Sequence, residues 1–139
     1  MANTVREWMN DLVVFVDPNS SVAEALGVMR RRYVNNLIVK KTKESPEFGI
    51  ITSIDICDTI VAHGRDPSKI TVREVMSSPL ITVTPEMTIS DCAKVMKEKR
   101  IHHLPVADAN GSIIGMISAN DFLIVAEKFG HGEGDRSLS

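Results

Sequence analysis

Val5-Arg6-Glu7-Trp8-Met9 and Val72-Arg73-Glu74-Val75-Met76 are nearly the same phrase written twice, 67 residues apart. Similarity at a fixed period marks a duplicated structural unit, and it decides the architecture before any local pattern does. At the same offset Val16 meets Val83, Pro18 meets Pro85, Met29 meets Met96, Leu37 meets Leu104 and Val39 meets Val106. Beyond the loop 41–47 the offset drops to 66. There Gly49 meets Gly115, Ile51 meets Ile117, Thr52 meets Ser118 and Asp55 meets Asp121. The repeats span 4–63 and 71–129, joined by a linker at 64–70. The glycine-rich, polar tail 130–139 reads as disordered.

Each copy reads strand, helix, strand, strand, helix. Val13–Val16 and Leu80–Val83 are short apolar, β-branched runs, closed by Pro18 and Pro85. Ser21 with Glu24, and Thr88 with Asp91, put a hydroxyl three residues before a carboxylate, which starts a helix. Val22, Ala25, Leu26 and Met29 then share one helical face, as do Ile89, Cys92, Ala93 and Met96. Strands follow at 36–40 and 48–51 in the first copy, and at 103–107 and 113–117 in the second. Helices follow at 53–63 and 119–129. One such βαββα half exposes too much apolar surface to stand alone, so the halves should pack by a pseudo-two-fold axis into one α/β (α+β) fold. Cys57 and Cys92 read as small core residues, the repeated methionines as core, and Trp8 as an interface residue.

The chain has 139 residues, 43% hydrophobic and 24% charged, with a net charge of -2. That balance gives no global attraction to nucleic acid or an anionic membrane. Two distant cysteines make neither a zinc site nor a disulfide framework, and no apolar run approaches a membrane span. A reducing, cytoplasmic setting is expected.

The motifs together resemble a tandem pair of cystathionine-β-synthase (CBS) domains. The resemblance rests on Val72–Ser77, Pro79–Pro85, Arg100–Val106 and Gly115–Asp121, with Gly49–Asp55 and weaker copies in the first repeat. It implies a regulatory module, not an enzyme, that binds AMP, ADP, ATP or S-adenosylmethionine in the cleft between its repeats. No cofactor is required, the adenine nucleotide being a regulatory ligand. A homodimer and a separate effector protein are implied partners. The resemblance also gives Asp55 and Asp121 the ribose hydroxyls, and Thr52 and Ser118 the ribose or phosphate.

Those roles are chemically sensible. An ionised carboxylate can accept from both hydroxyls of a ribose diol. A hydroxyl at a helix start lies among unpaired N–H groups that favour phosphate. Gly49 and Gly115 would let the backbone approach closely, Asn120 sits in the second motif, and Val14 and Ile81 are matching candidates for an adenine slot. Thr52/Asp55 and Ser118/Asp121 are also helix caps in form, and the two roles can coexist. The resemblance also implies a basic phosphate contact just before Leu104-Pro105-Val106, which makes His103, supported by Arg100, the candidate. The first repeat has Asn36 where the second has His103, so unequal sites are expected. The rival reading is a nucleic-acid-binding CBS protein using Arg30–Arg32 and Lys97–Arg100 at equivalent helix ends. Its scarcity of aromatic residues, 4%, argues against stacking.

Overall fold

A computed structural model describes residues 3–130. Apart from Gly130, the tail read as disordered lies outside the described residues. The element order is α1 (Val5–Trp8), β1 (Phe15–Val16), α2 (Val22–Arg32), β2 (Asn36–Val39), β3 (Gly49–Thr52) and α3 (Ser53–Thr59). Then come α4 (Val72–Val75), α5 (Ile89–Lys99), β4 (His103–Ala107), β5 (Ile113–Ser118) and α6 (Ala119–Phe129). The strand–helix–strand–strand–helix order is therefore present in the first copy and, without its first strand, in the second, with a short helix leading each copy. None of the described helices is long and apolar enough to cross a membrane.

The packing units are offset from the repeats. Val13–Leu80 form one unit; the other joins the stretch ending at Leu12 to the stretch beginning at Ile81. Each short leading helix thus packs with the copy it does not belong to in sequence.

Within the unit 13–80, β1 runs parallel to β2, and β2 runs antiparallel to β3. Helix α2 makes the crossover between β1 and β2, as parallel strands require. Its start is fixed reciprocally: the Ser21 N–H donates to Glu24 Oε1 at 2.8 Å, and the Glu24 N–H donates to Ser21 Oγ at 3.0 Å. Val22, Ala25 and Met29 face the core with Leu37, Val39 and Ile51. Helix α4 closes that core. The Val72 N–H donates to Ser20 O at 2.8 Å and the Arg73 N–H to Pro18 O at 2.9 Å, while Ser77 and Ile50 exchange both backbone bonds at 2.9 Å. Val72 is completely buried, with Ile70 and Val75 beside it.

The second unit repeats these bonds. The Val5 N–H donates to Met87 O at 2.9 Å, Arg6 to Pro85 O at 2.9 Å, and Asn10 and Met116 exchange bonds at 2.8 Å. Val5, completely buried, joins Val83, Ile89, Cys92, Leu104, Val106 and Ile117. Trp8, expected at an interface, packs on this cluster of second-repeat residues one turn after Val5 and so lies between the sequence repeats, its indole Nε1 buried with no hydrogen-bond partner among the described residues. The strand expected at 80–83 shrinks to a single bridge, Val83 to Val106. The cause is Pro105. In the first copy the Ile38 N–H donates to Val14 O. Pro105 holds the equivalent place and has no N–H to give Ile81.

Gly49 and Gly115 do approach another backbone closely, but that backbone belongs to the closing segments. A Cβ on Gly49 would lie 2.8 Å from Met76 Sδ and 3.0 Å from Ser77 O. On Gly115 it would lie 2.7 Å from Met9 Sδ and 3.1 Å from Asn10 O. Cys92 is buried as expected, but Cys57 is exposed. Ile56 and Ile60 point inward from that helical stretch, and Cys57 lies one residue, about 100°, round from Ile56.

Two outcomes test this packing. Val72→Ala should lower stability by about 2 kcal/mol in urea denaturation, since it deletes two methyl-sized groups from a closed core. Burial pushes the Cys92 thiol up to about 11. At pH 8 a thiol reagent should therefore label Cys57 in the folded protein and Cys92 only on unfolding.

Candidate functional site

Each unit carries one strand-to-helix junction, and the sequence builds both in the same way. In the unit 13–80, β3 ends at Thr52 and α3 begins at Ser53. The Thr52 N–H donates to Asp55 Oδ2 at 2.9 Å and its hydroxyl donates to the same oxygen at 3.0 Å. The Asp55 N–H returns a bond to Thr52 Oγ1 at 3.2 Å. In the other unit the Ser118 N–H and hydroxyl donate to Asp121 Oδ2 at 2.8 Å and 3.2 Å. Capping is thus a physical fact at both places. It engages only one oxygen of each carboxylate. Among the described residues Oδ1 of Asp55 and of Asp121 makes no hydrogen bond, and both side chains are half-buried.

The hydroxyl protons of Thr52 and Ser118 are committed to carboxylate, so toward a ligand these groups can only accept. The first helical N–H is also committed. Ser53 donates to Asn35 O and Ala119 to His102 O, each at 2.9 Å. Fewer free backbone donors remain for an anion than a bare helix start would offer.

The remaining candidates divide by unit. Thr52, Asp55 and Val14 lie in the first; Ile81, Arg100, His103, Ser118, Asn120 and Asp121 lie in the second. His103 stands directly across the β4–β5 ladder from Ser118, as Asn36 stands across from Thr52. Asn120 is exposed on the first turn of α6. Ile81 is 40% exposed and free to meet a ligand, whereas Val14 is 8% exposed and packed into its unit's core, so an adenine slot fits Ile81 better. Arg100 is exposed where α5 ends, in the left-handed conformation with φ 56°. Among the described residues no group of His, Cys, Asp or Glu side chains could hold a metal ion.

The sequence model of the CBS domain matches residues 5–62 and 72–128. The chain belongs to the CBS domain family. An uncharacterised protein of Methanopyrus kandleri is 33% identical over 113 residues, covering 81% of this chain and 57% of that protein. This CBS pair thus spans little more than half the length of that relative. Among solved structures, a hexameric CBS-CP12 protein from bloom-forming cyanobacteria superposes with a TM-score of 0.87 at 29% identity, over 96% of this chain and 74% of its own. A CBS domain pair solved with 5′-methylthioadenosine and S-adenosylmethionine shares the fold, with a TM-score of 0.79 at 22% identity, over 93% and 99% of the two chains.

The capping geometry makes its own prediction. Asp55→Ala and Asp121→Ala should each cost about 1 kcal/mol in ligand-free denaturation, because each removes an N-terminal cap partner. An unchanged midpoint for both would show that the boxes do not form in solution.

Proposed function

We propose that this CBS pair is a non-catalytic regulatory module that binds an adenosine-type ligand at its strand-to-helix junctions and alters its contacts with a partner protein in response. The observation that carries the reading is the duplicated carboxylate, with one oxygen locked by the cap and the other uncommitted. The lock fixes the side chain's rotamer, so its entropy is spent on folding rather than on binding. The uncommitted oxygen has two lone pairs, and the two donors of a ribose 2′,3′-diol match them. Ile81 supplies apolar surface for a base in the unit that also holds Asp121 and Asn120. His103 and Arg100 add basic groups to that unit, where Asn36 and Tyr33 stand in the other. AMP, ADP, ATP and S-adenosylmethionine are the candidate ligands, and the 5′-methylthioadenosine and S-adenosylmethionine held by a pair of the same fold support an adenosine core.

Self-association belongs to the same proposal. Helix α6 leaves Leu123, Ile124 and Phe129 70%, 53% and 61% exposed, apolar surface that a second copy would cover. No residue is assigned a catalytic role, and the response is read out by a separate effector protein.

Thermal denaturation with adenosine, AMP, ADP, ATP and S-adenosylmethionine tests the reading. A bound ligand at 100 times its dissociation constant should add about 2.7 kcal/mol. Asp121→Ala should remove that increment in addition to its own capping cost. A well-folded sample that none of these ligands stabilises would contradict the proposal.

A further inference from the structure

Arg6 and Arg73 hold equivalent places on the two short leading helices, yet their partners differ. Arg6 Nη2 donates to Glu86 Oε2 at 3.2 Å, an ion pair between exposed side chains. At the offset of 67 the counterpart of Glu86 is Asn19. Arg73 Nη2 donates to Asn19 Oδ1 at 2.8 Å, and its Nη1 donates to Ser45 Oγ at 2.8 Å. Both acceptors are neutral. Arg73 is half-buried, and among the described residues no carboxylate pairs with it. Nearby carboxylates are engaged elsewhere: Asp17 accepts the Asn19 N–H at 2.8 Å, and Glu74 accepts the Thr71 N–H at 2.9 Å. The guanidinium more withdrawn from water is thus the one without an anion, the reverse of what desolvation favours.

Ser45 reaches Arg73 from a loop particular to the first copy. The offset between copies falls from 67 to 66 across 41–47, so this loop holds one residue more than its counterpart. It is closed on itself, the Thr42 N–H donating to Ser45 O at 2.7 Å and the Ser45 N–H to Thr42 Oγ1 at 3.0 Å. In the second copy Asp108 Oδ1 holds the turn by accepting from the Asn110 and Ser112 N–H groups, and no described bond joins that turn to Arg6. The loop 41–47 carries Lys41 and Lys43 against Glu44 and Glu47, so it brings Arg73 no net charge.

The hydroxyl on Arg73 precedes an exposed proline, Pro46. The chain has two other hydroxyl–proline pairs, Ser78-Pro79 and Thr84-Pro85. Ser78 donates its hydroxyl to Phe48 O at 3.1 Å. Among the described residues only Ser45 of these three sets its oxygen on a cation.

We propose that Ser45 is a phosphorylation site and that Arg73 receives the phosphate. A serine kinase supplies the γ-phosphoryl group of a nucleoside triphosphate. Ser45 Oγ forms the new P–O bond, the bond from the γ-phosphorus to the bridging oxygen breaks, nucleoside diphosphate leaves, and the serine proton passes to the kinase's base. The product adds a charge of about -1.5 to -2 beside Arg73, in the role that Glu86 fills for Arg6. Phosphate oxygens can accept from both branches of the guanidinium. A lone arginine is a weak holder of a free anion, but attachment through Ser45 makes the encounter intramolecular. The consequence is mechanical. Arg73 adjoins Val72, which closes the core of the unit 13–80, so the phosphate pins the loop 41–47 to the closing helix α4. Neither junction residue takes part, and the inference stands whether or not adenosine binds.

The test has two arms. In the first, the full chain is treated with MgATP and a purified kinase that recognises Ser-Pro. Peptide mass spectrometry should find a phosphoryl group on Ser45, and Ser45→Ala should remove it. In the second, full chains are made with phosphoserine at position 45 or, as a control, at position 78. At pH 8 phosphate at 45 should raise the thermal midpoint by about 3 °C or more, the scale of one or two charge-assisted bonds, and phosphate at 78 should not. R73Q should abolish the gain, and added salt should reduce it. Arg73 should hold the second phosphate ionisation below its ordinary value near ~6. The gain is then present above about pH 6 and lost as pH falls through the lowered value. Phosphorus NMR reads that ionisation in the folded chain, lower at 45 than at 78, without any arginine variant. Phosphoryl transfer to Ser78 or Thr84 but not Ser45, a phosphate at 45 that behaves as the one at 78 does, or a gain that survives R73Q overturns the proposal.

Discussion

Each core in this protein is closed by a valine carried on a segment from the other sequence repeat. Val72 completes the cluster around Leu37, Val39 and Ile51, and Val5 completes the cluster around Leu104, Val106 and Ile117. Both are entirely buried, and both are held by backbone hydrogen bonds from their own short helix to the loop before a long one. Hydrophobic burial makes the segment necessary, and the paired backbone bonds make its position specific. Neither repeat, taken as the sequence delimits it, contains all of the residues that its core needs.

The candidate site inherits its rigidity from this closure. Ser77 bonds to Ile50 on β3, and Asn10 bonds to Met116 on β5. Those strands end at Thr52 and Ser118, where the two capping boxes begin. A carboxylate at each junction is therefore fixed by a cap that follows a strand clamped on both sides. Gly49 and Gly115 permit the clamp, since a methyl group at either place would meet sulfur and carbonyl oxygen well inside contact distance. The glycines of the junction motif serve the fold first, whatever else they allow.

Much of this was readable in the residues. The 67-residue offset, the alternation of strands and helices, and the caps at Ser21, Thr52 and Ser118 all follow from local chemistry, and local chemistry is what the sequence displays directly. The exchange of segments was not readable. A repeat tells what each copy is, not which copy it packs upon. The helices α1 and α4 did have a signal, because Thr4 with Glu7 and Thr71 with Glu74 are capping boxes of the usual spacing. The lost strand at 80–83 turns on one missing N–H at Pro105, and the exposure of Cys57 turns on about 100° of helical phase.

Hydrogen exchange on a Val5→Ala variant reads out this exchange of closing segments. Val5 lies in the first repeat by sequence but in the second repeat's core by packing. Amide protection should fall across β4 and β5, residues 103–118, while β2 and β3, residues 36–52, keep theirs. Loss of protection confined to residues 36–52, with 103–118 untouched, would contradict it.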